Sequence, residues 1–295
     1  MPAGAPTLRA AARPERPRPT RRSPPRPEPA SCDDRPVKDS ALIARYGRAR
    51  RDRALAVLEG FHALKHAMRF GAQLVEVSCS NPRELERLAA EFAPELAPRM
   101  LELTREVPQE VFSKLAPLPA PTHVIALAER PAVDVAALLA DGRAAPVVLL
   151  EDPRDLGNVG ACIRVSAAAD AAGVLTTGDQ DPWHPEALRG AAGLHYALPV
   201  ANIARLDSLQ SAPRPLLALD PEGEQLAAAL PERALLAFGS ERRGLSAELL
   251  ACAQARISIP MRAGVSSLNL ATSVSAVLFA SRLSAGSHPL PASEA

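Results

Sequence analysis

Aromatic residues are scarce: Phe, Trp and Tyr make up 3 % of the 295 residues, with a single Trp. Stacking on unpaired bases is therefore excluded as a general strategy for holding a ligand. Cysteine is sparse as well. The four, at 32, 79, 162 and 252, form no CxxC pair, which excludes zinc-ribbon spacing and argues against a disulfide framework. They read as small buried or free thiols in a reducing cytoplasm. No apolar run reaches the roughly 18 residues of a membrane span, and the first residues lack the apolar core of a secretory signal. No GxGxxG accompanies the strand–helix units, so a dinucleotide-binding oxidoreductase fails. No His/Asp cluster has metal-ligand spacing, and no metal is assigned. Nor is there a charge excess: 34 basic and 33 acidic residues leave +1. Contact with nucleic acid must then come from local basic patches.

Hydrophobic residues, at 47 %, suffice for a sizeable core and a chain of about two domains. Residues 1–38 are low in complexity, rich in Pro and Arg, and carry nine basic against four acidic residues. They read as a disordered tail. Their prolines argue against the amphipathic helix of a transit peptide. From 39 to 131 helical and strand patterns alternate. ALAVLE (54–59) reads as a buried strand, GFHALKHAMRFG as an amphipathic helix and LVEVSCS as a strand. NPRELERLAAEFA reads as a helix with Asn81 as N-cap and Pro82 at its first position. MLELT reads as a strand, PQEVFSKLA as a helix and THVIALAER as a strand. This is an α/β unit. Residues 132–145 read as a linker.

A second unit spans 146–285, ahead of a frayed tail at 286–295. PVVLLED (146–152) has the continuous apolar character of a parallel strand covered on both faces. A helix at 158–173, the strand GVLTTG and the helix HPEALRGAAGL follow. HYALPV, PLLALD, RALLAFG and ARISIPM read as strands, SAELLAC as a short helix, and SSLNLATSVSAVLFASRL as a long C-terminal helix.

Three segments of this unit share one design, a strand running into a glycine-bearing turn. The first is LLEDPRDLGNVGACIRVSAAAD, in which Arg164 lies six residues, about one and two-thirds helical turns, past Asn158. The second is LLAFGSERRGLS, with Gly239 ending a strand, Glu241 in the turn and Gly244 allowing a further bend. The third is ISIPMRAGVSSLNLATSVSAVLF, where Ser266 or Ser267 is placed to cap the last helix. Loops at the C-terminal ends of parallel strands are where open α/β sheets bind ligands. Singly, each segment reads as ordinary capping and turn chemistry.

Together and in this order they resemble the SpoU/TrmH family of RNA ribose 2′-O-methyltransferases, within the SPOUT superfamily. HPEALRGAAGLHYALPV, with Arg189 and Gly193, is similar to the family's intermediate segment. RALAVLEGFHALKHAMRFGA is similar to the start of its N-terminal substrate-binding domain. The resemblance implies a small α/β substrate-binding domain followed by an α/β SPOUT methyltransferase domain with a C-terminal trefoil knot, a rare exception to unknotted topology. It implies S-adenosylmethionine as cofactor, held by Gly239, Ile259 and Leu268, and a homodimer with the active site near the subunit interface. It implies methyl transfer to a ribose 2′-hydroxyl, on ribosomal RNA in preference to transfer RNA because the N-terminal domain is present. A catalytically inactive RNA-binding assembly factor of the same fold is the rival.

Five residues carry catalytic roles by motif position: Asn158, Arg164, Glu241, Ser267 and Asn269. Arg164 either orients the hydroxyl and the adjacent phosphate or accepts the proton in a strongly tuned site; an arginine pKa above about 12 favours the first. Asn158 contacts the ribose or holds the first loop, and a plain N-cap is its bland alternative. Glu241 fixes Arg164 or the loops. Ser267 and Asn269 position substrate and order the cofactor loop. Asp152 and Asp155 have no assigned role. The arginines at 45, 48, 50, 51 and 53 (Arg45, Arg48, Arg50, Arg51, Arg53) form the candidate RNA-contact cluster, with a solvated helix face as the alternative.

Overall fold

The computed structural model describes residues 35–284 apart from 205, 207–208, 210–211 and 227–229. The stretches 1–34 and 285–295, which hold most of both tails, lie outside the described residues. Helix α1 (Arg35–Ala49) starts four residues inside the segment read as tail.

The first sheet is mixed. Strands β1 (Leu55–Glu59), β2 (Leu74–Cys79), β3 (Thr104–Glu106) and β4 (Val124–Glu129) lie in the order β1-β4-β2-β3. β4 runs antiparallel to both its neighbours, and β3 is parallel to β2. Helix α2 (Phe61–Arg69) buries Phe61, Ala63, Leu64 and Ala67, the i, i+3 pattern of one apolar face. Helix α3 (Pro82–Phe92) starts as the sequence predicts: the Asn81 side chain accepts from the Glu84 amide, and Pro82 opens the first turn.

MLELT is the main correction in this unit. It forms most of α4 (Ala97–Leu103), followed by the short β3. Pro98 sits in the first turn of α4, and Met100 is fully buried with Leu96, Leu101 and Leu103 packed on the same core. A helical spacing of apolar residues thus overrides the alternation of 101 and 103. PQEVFSKLA yields only the single turn α5 (Gln109–Phe112).

The second sheet is wholly parallel, as the apolar run 146–152 suggests. Its strands β5 (Val147–Leu150), β6 (Gly173–Thr176), β7 (Val200–Asn202), β8 (Leu216–Gln225), β9 (Leu235–Phe238) and β10 (Ala255–Ser258) lie in the order β10-β8-β9-β5-β6-β7. All four residues of β5 are buried. Helix α6 (Val135–Ala140) falls within 132–145, read as a linker. Asp134 caps it, and Leu138 and Leu139 bury against Leu149 and Leu175 of the sheet. Helices α7 (Leu156–Ala168) and α8 (Pro185–Gly190) follow, then α9 (Ala247–Cys252) and α10 (Leu270–Ser284). HYALPV is not one strand: a 3-10 turn covers Leu194–Tyr196 before β7.

One buried cluster runs from Leu58 and Leu64 of the first unit to Val159 and Leu188 of the second. Gly193, at φ +76°, makes this contact close: a Cβ there would stand 2.4 Å from the Ala63 carbonyl oxygen. Polar bonds fix the register. His66 Nδ1–H donates to the Ala192 carbonyl at 2.8 Å. Glu59, nearly buried, accepts from Arg50 at 2.6 Å with one oxygen and from Arg189 at 2.7 Å with the other.

Candidate active site

The three glycine-bearing segments converge at the C-terminal ends of β5, β8, β9 and β10, where a parallel sheet offers its ligand crevice. The second and third line a cleft of about 260 Å³, with Gly239, Ser240, Glu241, Ile259, Ser267 and Leu268 on one side and Leu219, Asp220 and Phe238 on the other, and the first meets its rim through Asn158. An irregularity in β8 shapes that side. Arg256 pairs with Ala218 but Ile257 pairs with Glu224, so residues 219–223 bulge out of register. Pro221, which cannot donate to the ladder, lies in this bulge.

Gly239 is set by space. A Cβ there would lie 2.1 Å from the Gly244 carbonyl carbon and 2.3 Å from the Leu245 amide nitrogen. The turn 240–244 therefore folds back over Gly239, closed by Ser240–Gly244 backbone bonds of 3.0 and 3.2 Å. Glu151, just past β5, anchors the far side of this loop. Its carboxylate accepts from the Ser246 amide at 2.7 Å and the Ser246 hydroxyl at 2.6 Å, and that hydroxyl oxygen caps α9 by accepting from Leu249. Glu151 carries no motif signal; only the pairing across 95 positions reveals it.

At the rim, three predicted residues form a chain of side-chain bonds. Asn269 Nδ2 donates to Asn158 Oδ1 at 3.0 Å, and Asn158 Nδ2 donates to Glu241 Oε1 at 2.8 Å. One residue from each motif takes part. Asn158 is not the N-cap: Asp155 caps α7 by accepting from the Asn158 amide at 2.7 Å, which frees the Asn158 side chain for Glu241. Nor does Ser266 or Ser267 cap α10. Asn269 Oδ1 accepts from Ala271 and Thr272, while Ser267 lines the cleft. Asp152, also without an assigned role, has φ +46° and donates its amide to Thr177 Oγ1 at 2.9 Å. Burial pushes the Cys162 thiol up, behind Asn158 on α7, so it stays protonated.

Arg164 does not line this cleft. It is exposed on α7 and lines a second cavity, of about 560 Å³, with Lys65, His62 and Arg189. Partial burial, and after it the neighbouring cations, lower the pKa of both His62 and Lys65.

The arginine cluster of α1 and the following turn divides. Arg50 turns inward to Glu59 and the Leu115 carbonyl. Arg45 pairs with Glu76 at 3.1 Å. Arg48, Arg51 and Arg53 remain exposed, and Arg53 borders a third cavity beside Arg130 and Asp181. Among the described residues no group of three or more His, Cys, Asp and Glu side chains is placed to hold a metal ion. None of the described helices is long and apolar enough to cross a membrane.

Comparison with known proteins agrees with this geometry. The model of the SpoU rRNA Methylase family matches residues 145–279. A tRNA/rRNA methyltransferase of Synechocystis sp., named as uncharacterized, is 30 % identical over 251 residues, covering 80 % of this chain and 86 % of that one. A 23S rRNA (adenosine(1067)-2′-O)-methyltransferase of Streptomyces azureus is 29 % identical over 236 residues, covering 75 % of this chain and 84 % of that one. The crystal structure of an AdoMet-bound rRNA methyltransferase from Sinorhizobium meliloti aligns with a TM-score of 0.65 at 25 % identity, covering 88 % of this chain and 97 % of that one. The parallel sheet, the glycine-walled cleft and these relatives lead to one conclusion: the chain belongs to the SpoU rRNA methylase family.

Proposed function

We propose that this protein transfers the methyl group of S-adenosylmethionine to a ribose 2′-hydroxyl of RNA, with ribosomal RNA as substrate. The observation that carries the reading is the chain Asn269–Asn158–Glu241, which ties all three motifs around one cleft. The cleft's walls fit the methyl donor. Gly239 and Ser240 present backbone, Leu219, Ile259 and Leu268 present apolar surface, and the missing Cβ at Gly239 leaves the tight turn its room. When bound, S-adenosylmethionine supplies a methyl carbon activated by its sulfonium.

Gly239, Ile259 and Leu268, all in the cleft lining, would hold the methyl donor. Glu241 and Asn269 fix the Asn158 amide from its two ends, so its orientation is set before substrate arrives. Ser267 offers a hydroxyl at the wall of the cleft. Arg164, a fork of guanidinium donors, acts by positioning the phosphate next to the attacked ribose. It stands outside the cleft of its own chain, which is why we place the reaction at the interface of a homodimer.

The finer architecture belongs to the same proposal. Residues 39–131 form the RNA substrate-binding domain and 146–285 the methyltransferase domain. The segment from β10 into α10 threads a trefoil knot, a reading supported by Asn269 reaching back 111 positions to Asn158. The protein works in the cytoplasm. Ribosomal RNA is preferred over transfer RNA because of the first sheet and because the relative from Streptomyces azureus is named for a 23S rRNA adenosine.

Arg164→Ala tests the assignment. It should abolish methyl transfer to RNA while S-adenosylmethionine affinity stays within a few-fold, as calorimetry would show. Normal turnover in that variant removes Arg164 from the mechanism.

A further inference from the structure

The second cavity shares no lining residue with the cleft assigned to the methyl donor, and its walls are built from both units. At about 560 Å³ it is the larger of the two, and within the roughly 300–1,000 Å³ of small-molecule sites. α2 contributes His62 and Lys65, α7 contributes Arg164 and α8 contributes Arg189.

Its charge is uncompensated. Among the described residues neither Lys65 nor Arg164 has a carboxylate within ion-pair distance. The carboxylate lining the cavity, Glu59, is shared between Arg50 and Arg189, so two cations stand on one anion. Glu95, whose charge acts on Lys65, is engaged by Arg69. Gathering cations in a half-enclosed cleft is unfavourable unless an anion joins them, and a phosphate meets that need with several donors at once.

Beside the cations stands an aromatic face. The His62 ring packs edge-on against Phe92, with centroids 5.9 Å apart, and Phe92 is 44 % exposed at the end of α3. In a chain with so few aromatics, a half-exposed Phe next to a cationic cleft is the arrangement that takes a phosphate and a base together. An acidic peptide would satisfy the cations and leave the ring unused.

We propose that this inter-unit cleft binds one unpaired nucleotide of the RNA, its phosphate on Lys65, Arg164 and Arg189 and its base on His62 in the cleft wall and on Phe92, which packs against His62 just outside the lining. The proposal rests on the RNA-methyltransferase reading and adds the residues that choose a single-stranded segment beside the target. Arg164 then links the two sites.

The test uses the full chain and a short fluorescein-labelled oligouridylate, read by anisotropy across a salt series. Lys65→Glu should weaken binding at least about fivefold, and Lys65→Ala should reduce the salt slope by about 0.7, the share of one phosphate contact on a single strand. Lys65→Arg should restore both. Phe92→Leu should also weaken binding by about fivefold or more, because the aromatic face on which a base stacks is lost. Phe92→Trp should keep affinity and show quenched emission when oligouridylate binds, whereas the wild-type emission, from Trp183 at 5 % exposure, should not change. Unchanged affinity and slope in the Lys65 variants, or no quenching in Phe92→Trp, overturns the proposal. So does preferential binding of an oligoglutamate peptide that depends on Lys65. Calorimetry with S-adenosylmethionine separates the two readings. Intact donor binding and ribose methylation with Lys65-independent RNA binding sinks the cleft alone. Lys65- and Phe92-dependent RNA binding without any donor binding upholds the cleft and sinks the methyltransferase.

Discussion

Gly239→Ala is the sharpest perturbation of the donor site. The added methyl would sit 2.1 Å from the Gly244 carbonyl carbon and 2.4 Å from its oxygen, where van der Waals contact begins near 3.4 Å. These are backbone atoms, so no side-chain rotation relieves the overlap. The 240–244 turn must move outward by on the order of 1 Å, and its outer end is pinned by Glu151 through Ser246. Overpacking of this kind costs about 1–3 kcal/mol. If that strain falls on the bound state, S-adenosylmethionine affinity drops between about fivefold and 150-fold, since about 1.4 kcal/mol is tenfold. Gly244→Ala is the matched control. It has open space around its Cβ position but φ +66°, so it suffers only the left-handed penalty of about 1–2 kcal/mol, which Gly244→Asn should largely avoid. Calorimetric titration of the donor, with melting curves to monitor folding, compares the three. Donor affinity in Gly239→Ala within twofold of wild type, with the protein folded, would refute the claim that the folded-back turn builds the site.

Other expectations concern the frame around that site. Arg214 is 2 % exposed and has no carboxylate in ion-pair contact among the described residues; its guanidinium donates to the carbonyls of Leu138, Leu139, Asp141, Ala145 and Arg233, tying the end of α6 to the second sheet. Arg214→Met should lower stability by about 3 kcal/mol, since orphaned buried carbonyls cost about 1–3 kcal/mol each and only some will find water; denaturant melts would show it, and an unchanged midpoint would refute it. His195 is fully buried between the Pro182 carbonyl and Trp183, and burial holds its pKa down at about 4. The unfolded chain takes up this proton near pH 6.5 and the native state near pH 4, so stability should fall as pH drops through that window and be unaffected by this group above it. His195→Phe should flatten that part of the acid limb in melts recorded against pH; an identical acid limb would remove His195 as its source.

Local chemistry made much of the molecule legible. The continuous apolar run of β5, the Asn81–Pro82 helix start and the glycine turns at Gly239–Gly244 and Gly264 each follow from a few neighbouring residues and appear in the structure, whereas Gly157, read as a turn before the helix, lies in the first turn of α7. Asn158, Glu241 and Asn269 could be singled out because their motifs recur together, and they do meet. What the sequence hid is long-range pairing. Arg50 reads as a candidate RNA contact until it and Arg189, 130 positions on from Glu59, are seen to share the Glu59 carboxylate. Glu151 looks like a strand-end acid until Ser246 reaches it. Capping was harder to place where several candidates crowd together: Asp155 takes the cap that was the bland alternative for Asn158, and Asn269 the one expected of Ser266 or Ser267. In MLELT, five residues carry both periods, and packing of Met100 decides for the helix.

Methyl transfer to ribose is the central claim. Labelled S-adenosylmethionine, given to the purified chain with separate unmodified rRNA and tRNA pools, tests it when the product is digested and the label mapped to ribose or base. Label on a ribose 2′-oxygen of rRNA is the predicted result. Label on a base, or no transfer to any RNA together with no binding of the donor, would contradict it and leave an RNA-binding protein that keeps the fold without the reaction.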